Sequence, residues 1–123
     1  MVERRRLERF HVPNSYVKYQ QEVLFNDQLP IEGKGDLVDL TVKGVRFETD
    51  QELSSGATLN IEIFVPEEEP INLVGHIVWT KKLDGNGIVN SVVEFVDFDD
   101  EPGFNSNESL EQLEALEEQY CRK

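Results

Sequence analysis

Residues 36 to 49 read DLVDLTVKGVRFET, two short stretches of alternating apolar and polar residues separated by Lys43 and Gly44. Alternation with a period of two is typical of a β-strand that buries one face. A Lys-Gly pair suits a tight turn, because glycine adopts a positive φ without a steric penalty. This stretch therefore predicts two neighbouring strands joined by a short turn.

Similar alternation recurs along the chain, so several more strands are predicted. They cover residues 57 to 65, 72 to 80 and 88 to 98, with an earlier, mixed segment from 12 to 19. Asp-Gly and Asn-Gly in residues 83 to 87 give the strongest hairpin signal. Gly33-Lys34-Gly35 is predicted to be a turn. In the segment 72 to 80, Leu73, Gly75, Ile77 and Trp79 are predicted to share one face, with Val74, His76 and Val78 on the other.

No helical pattern separates these segments, which favours an antiparallel sheet closed into a small barrel or sandwich. After Pro102-Gly103 comes an apolar stripe at helical spacing, which predicts an acidic amphipathic helix over residues 105 to 121. Two interpretations of the stripe stay open: packing on the barrel, or a surface for a partner. We expect a flexible arginine arm at 1–11 and a barrel at 12–99.

Composition restricts the class of protein. The 123 residues suit one domain, and 25 acidic against 12 basic residues give a formal net charge of −13, which disfavours DNA or RNA as a partner. The charge is uneven, with +2 over residues 1 to 9 and −8 over residues 99 to 118. The sequence contains no run of 18 apolar residues, so no membrane insertion is predicted. With Cys121 as the only cysteine, we expect a cytoplasmic protein.

The sequence nominates no catalytic residue and no metal site. His11 and His76 are the only histidines, and neither has a cysteine at metal-ligand spacing. No G-x-S-x-G or P-loop motif occurs, and no nucleophile has an adjacent base. A binding protein rather than an enzyme is therefore predicted.

Two short motifs are the most informative feature. Arg5 and Arg9 form R-x-x-x-R, and residues 39 to 44 form D-x-T-x-x-G. Their order and spacing, followed by Val78-Trp79 and by V-x-F at residues 93 to 95, closely resemble a single-domain member of the PilZ family. The resemblance covers about residues 3 to 98.

The resemblance implies a mainly β fold, namely a six-stranded antiparallel PilZ-type barrel with a C-terminal α-helix. It also implies that the ligand is cyclic di-GMP, a bacterial messenger, and that no cofactor is needed. Guanine O6 and N7 match the two-pronged guanidinium donor, and Arg also pairs with phosphodiesters. The residues implied as ligand contacts are Arg4, Arg5, Arg9, Asp39, Thr41 and Gly44. Further candidates for contacts are Arg6, Lys43, Arg46 and Trp79.

Two positions refine this expectation. Thr41 replaces the family's serine; it keeps the hydroxyl but is stiffer at χ1, so affinity is expected to fall by on the order of 1 kcal/mol if the hydrogen bond is strained. In PilZ proteins the residue before R-x-x-x-R influences stoichiometry. Arg4 at that position favours an intercalated dimer of the ligand over a single molecule.

Several functions stay open at this point. The leading hypothesis is a receptor that orders its arginine arm on cyclic di-GMP and then binds an unidentified downstream protein, in motility or biofilm regulation. The alternative is a degenerate PilZ-like interaction module that does not bind nucleotide. A small barrel for single-stranded RNA fits poorly, because basic residues are few.

Overall fold

The computed structural model describes residues 9–21, 31–83, 85 and 87–120. These residues form six strands and one helix. The elements are β1 (Tyr16–Gln21), β2 (Ile31–Leu40), β3 (Gly44–Thr49), β4 (Thr58–Phe64), β5 (Ile71–Lys82), β6 (Val89–Phe95) and α1 (Asn107–Tyr120).

The six strands close into one barrel in the order β1-β2-β3-β6-β5-β4, and β4 pairs back with β1. All six pairings between these strands are antiparallel. Because the barrel is closed, each strand has a hydrogen-bonded neighbour on both sides. Closure removes the exposed edges at which an open sheet would aggregate. The predicted mainly β fold, a six-stranded antiparallel barrel with one C-terminal helix, is confirmed.

The core lies inside the barrel and follows the alternation of the sequence. On β4 the buried side chains are Leu59, Ile61 and Ile63, while Asn60 is exposed. On β6 the inward positions begin at Val89 and recur at every second residue. Burial of these side chains is the main stabilising term, at about 1.5–3 kcal/mol for each large aliphatic residue.

Gly33-Lys34-Gly35 lies inside β2, so the predicted turn at this position is wrong. The reason is the aromatic bulk on the neighbouring strands. A Cβ at Gly35 would meet the backbone carbonyl of Glu48 and the ring of Phe47. Gly35 therefore permits close packing of β2 on β3. The sequence alone does not distinguish a glycine needed for close packing from a glycine needed for a turn.

Helix α1 packs on the barrel, which decides between the two interpretations of its apolar stripe. Leu113 and Leu116 are buried within the barrel's hydrophobic cluster. The helix begins at Asn107, two residues after the predicted start, because the Ser106 hydroxyl caps it by accepting the Ser109 N–H at 3.1 Å. Asn105 is buried and bonds both backbone groups of Val74 on β5. In the described ranges no helix is long and apolar enough to cross a membrane.

Tyr19 on β1 supplies a buried hydroxyl between strands. Its oxygen lies 2.8 Å from Thr49 Oγ1 and donates to Gln51 Oε1 at 2.8 Å, and the residue is 3% exposed. Burial raises the pKa of Tyr19, the negative charge of Asp50 raises it further, and the hydrogen bond with Thr49 partly opposes the shift. The folded state therefore favours the neutral phenol.

We predict that Tyr19→Phe lowers the free energy of unfolding by about 1 kcal/mol at neutral pH, because Thr49 and Gln51 lose a partner. A raised pKa in the folded state stabilises the wild type fully below the unfolded value of about 10, and this contribution is lost as pH rises through the folded pKa. Urea unfolding of both proteins from neutral pH to above pH 10 should show that the difference between their free energies of unfolding narrows above about pH 10. A gap that widens there would contradict the assignment.

Candidate ligand-binding groove

One groove on the outside of the barrel brings the two sequence motifs together. It has a volume of about 370 Å³. Its lining comes from the segment before β1, the end of β2, the turn that follows β2, and strands β3, β5 and β6. The lining includes all the predicted site residues that the structure describes, namely Arg9, Asp39, Thr41, Lys43, Gly44, Arg46 and Trp79. Three others, Arg4, Arg5 and Arg6, lie outside the described residues.

A β-bulge places Asp39 in the groove. The pairing of β2 with β3 runs Leu37↔Phe47 and then Asp39↔Arg46, so Val38 is the extra residue. Simple alternation would turn Asp39 inward, whereas the bulge moves it to the outer face and returns Leu40 to the core. The Val38 carbonyl at the bulge lies 2.9 Å from His11 Nδ1.

Arg46 and Asp39 form an ion pair across this bulge. Arg46 Nη2 donates to Asp39 Oδ2 at 2.8 Å, and the two side chains are 31% and 17% exposed. A charge-assisted bond of this length is among the stronger hydrogen bonds in proteins. One carboxylate oxygen of Asp39 is therefore engaged by the protein itself.

Arg9 reaches the groove because the chain beside it is fixed to β2. Phe10 is buried and exchanges two backbone hydrogen bonds with Leu40, at 3.0 and 2.8 Å. The Arg9 side chain is exposed and borders the same groove as Asp39. The second arginine of R-x-x-x-R is thus held close to the first residue of D-x-T-x-x-G.

Thr41 shapes the turn between β2 and β3. Its hydroxyl oxygen accepts the N–H groups of Lys43 at 2.9 Å and Gly44 at 3.0 Å, and its own N–H donates to the Gly44 carbonyl at 2.9 Å. A hydroxyl that bonds the backbone two and three residues ahead fixes a turn locally. The acceptor side of this hydroxyl is therefore used within the turn.

Gly44 allows β3 to approach β6. A Cβ at this position would collide with the backbone carbonyl of Val93, and Gly44 pairs directly with Glu94. The sequence predicted a glycine that adopts a positive φ in the turn, but Gly44 begins β3 without a positive φ. Glycine is required here because a strand of the barrel lies so close.

An apolar wall forms the opposite side of the groove. Val78 and Trp79 are 49% and 40% exposed. The pairing of β5 with β6 shifts between Ile77↔Val93 and Trp79↔Val92, so a second bulge is present here. The prediction that Trp79 shares a face with Ile77 is therefore wrong, because the bulge leaves Ile77 buried and turns the indole outward.

The sequence did not nominate Val78, Val92 or Glu94, which also line the groove. Alternation along β6 could have found Glu94, since it is the polar residue between the buried Val93 and Phe95. The lining thus combines three basic side chains, Arg9, Lys43 and Arg46, with two acidic ones and an exposed indole. Among the described residues no group of His, Cys, Asp and Glu could hold a metal ion.

A family model of the PilZ domain matches residues 3–115. The chain belongs to the PilZ family. Similar solved structures include the PilZ domain with c-di-GMP of YcgR from Escherichia coli, at 18% identity with a TM-score of 0.62, covering 92% of this chain and 88% of that one. No curated protein matches the chain.

Two longer proteins share the PilZ fold. YcgR of Escherichia coli in complex with c-di-GMP matches at 19% identity and a TM-score of 0.64, covering 94% of this chain and 45% of that one. The inhibitor of motility MotI/DgrA of Bacillus subtilis matches at 13% identity and a TM-score of 0.54, covering 85% and 46%. This PilZ chain spans about half the length of each.

We predict that Thr41→Val destabilises the protein by about 1–2 kcal/mol, because two turn N–H groups lose their acceptor while the side-chain shape is kept. Thr41→Ser is the matched control, since it retains the hydroxyl and removes only a methyl group. Urea unfolding should place the serine variant near the wild type. A serine variant that is destabilised while the valine variant is not would show that the methyl group, rather than the hydroxyl, matters at this turn.

Proposed function

We propose that this PilZ chain is a receptor for cyclic di-GMP that binds the messenger in the groove and signals through a partner protein. The observation that supports this most is the meeting of Arg9 and Asp39, one from each motif, in a single groove with an exposed indole. The YcgR structures, which contain c-di-GMP, add the family context. PilZ domains are receptor or adaptor modules, and no catalytic step is proposed.

Each proposed contact has a chemical reason. The Arg9 guanidinium offers a planar fork for guanine O6 and N7 or for a phosphodiester. Asp39 accepts from the N1–H and N2–H donors of guanine, and Lys43 supplies a point charge for phosphate. Trp79 offers a face on which a purine can stack, a contact typically worth about 1–3 kcal/mol per base.

The arm that precedes Arg9 completes the proposed site. Arg4, Arg5 and Arg6 add three guanidiniums within five residues of Arg9. We propose that these residues close over the ligand from outside and that the arm becomes ordered when it does so. The ligand's contacts with the closed arm would bias the equilibrium towards the form that the partner recognises. We place this signalling in the cytoplasm, in the control of motility or biofilm formation.

A degenerate module that does not bind nucleotide is the second candidate. The ion pair of Asp39 with Arg46 and the use of the Thr41 hydroxyl within its turn favour it, because both groups already have protein partners. The remaining lone pairs of Asp39 and the exposed Arg9 favour the receptor. Titration with the messenger distinguishes the two functions.

We predict that isothermal titration with cyclic di-GMP gives saturable heat for the wild type and that Arg5→Ala and Arg9→Ala each weaken binding by about 1–3 kcal/mol. Lys18→Ala is the control, because it removes one positive charge from β1 outside the groove. Absence of heat with the wild type would favour the degenerate module. Binding that neither arginine affects would show that the messenger binds elsewhere.

We further predict that the wild type binds two messengers per chain, as an intercalated pair, and that Arg4→Ala reduces this to one. The physical reason is that a stacked pair brings four phosphodiester charges together, which an additional guanidinium stabilises. Titration at chain concentrations well above the dissociation constant measures the stoichiometry directly. A wild-type value of one would contradict the prediction.

A further inference from the structure

Arg46 differs from Arg9 in ways that point to a separate role. Its side chain is only 31% exposed, its Nε is buried without a hydrogen-bond partner in the described part of the chain, and its Nη2 is bonded to Asp39. Arg9 is exposed and makes no ion pair among the described residues. The guanidinium of Arg46 is therefore less exposed than that of Arg9, and one of its donors is already committed to a carboxylate of the protein.

Asp39 needs such a neighbour if it is to read a base. The terminal torsion of an aspartate is broad, so an unsupported carboxylate rotates readily. Arg46 holds Oδ2 at 2.8 Å, and the bulge at Val38 brings the two residues opposite each other. With Oδ2 held, the plane of the carboxylate is fixed. Oδ1 and the second lone pair of Oδ2 keep their capacity to accept.

We propose that Arg46 is a positioning residue that makes the site selective for guanine by orienting the Asp39 carboxylate. This inference rests on the proposed function. The guanine Watson–Crick edge presents two parallel donors, N1–H and the exocyclic N2–H₂. A carboxylate can accept both only in one orientation, so an orientation fixed before binding avoids the entropic cost of ordering it. Arg46 acts through Asp39, and the ligand need not touch it.

Comparison of two ligands separates this role from simple attraction. Cyclic di-IMP lacks the exocyclic amino group of guanine but has the same two phosphate charges as cyclic di-GMP. Removal of a positive charge from the groove weakens both ligands equally and leaves their affinity ratio unchanged. Loss of the Asp39 orientation weakens cyclic di-GMP more than cyclic di-IMP, because only guanine uses the second donor, and the affinity ratio therefore falls.

The experiment measures the affinity ratio of cyclic di-GMP to cyclic di-IMP by titration for the wild type, Arg46→Met, Asp39→Asn and the double variant. We expect a wild-type ratio of about tenfold and a ratio near one for Arg46→Met, since a good bidentate pair discriminates by about 1–3 kcal/mol. In the Asp39→Asn background, Arg46→Met should leave the ratio unchanged, because its effect passes through the carboxylate. Lys18→Met is the control for lost charge and should keep the wild-type ratio.

Three results would overturn the inference. A wild-type ratio retained by Arg46→Met would show that Asp39 needs no support, and an equal drop in the Asp39→Asn background would show that Arg46 acts without Asp39. Absence of cyclic di-GMP binding by the wild type would overturn the proposed function and this inference with it. The other two results would overturn the inference alone, because the wild type would still bind the messenger. Arg46→Lys gives a second test if Arg46→Met does not fold. Its ratio should also fall, because a lysine ammonium on a flexible stem holds Oδ2 in a less fixed direction than a planar guanidinium.

Discussion

The close approach of β3 to β6 is the constraint on which the groove depends. A barrel of only six strands must coil tightly, and at Gly44 the two strands come so near that a Cβ would collide with the Val93 carbonyl. The approach keeps the Thr41–Gly44 turn beside β6, opposite Glu94. A larger residue would push the strands apart and separate the turn from the apolar wall on β5. Glycine is therefore required at position 44 by the packing of β3 against β6. The groove forms because this packing keeps the turn beside β6.

Two β-bulges then decide which side chains face the groove. A strand in strict alternation cannot present two neighbouring residues on its outer face, yet both Val78 and Trp79 are exposed on β5. The bulge on β2 has the same effect on Asp39, and it returns Leu40 to the core afterwards. Bulges occur often beside functional sites because they redirect a side chain without interrupting the sheet for long. In this chain, one bulge supplies a carboxylate and the other supplies an indole to opposite sides of one groove.

The sequence predicts the barrel well and the site only in outline, for identifiable reasons. Alternation found the strands because burial of one face has a period of two, and the helical stripe found α1. The same rule failed at Trp79 and would have failed at Asp39, since one extra residue inverts the pattern and leaves no mark in composition. Gly33 and Gly35 were misread because a glycine that accommodates an aromatic ring resembles a glycine that makes a turn. The motifs implied Arg9 and Asp39 as contacts of one ligand, and both residues line one groove. They did not reveal the ion pair of Asp39 with Arg46, which depends on the register of two strands.

The charge of the chain acquires a different meaning once the groove is known. A net charge of −13 repels a long polyanion, which must pass over acidic surface wherever it extends beyond one site. A compact ligand with two phosphates responds mainly to charges within about one Debye length, about 8 Å at physiological ionic strength. In the groove that local set is Arg9, Lys43 and Arg46 against Asp39 and Glu94. Because Arg46 and Asp39 neutralise each other, Arg9 and Lys43 would provide the attraction for the proposed ligand. Asp39 would then contribute selectivity without adding an unbalanced negative charge beside the phosphates.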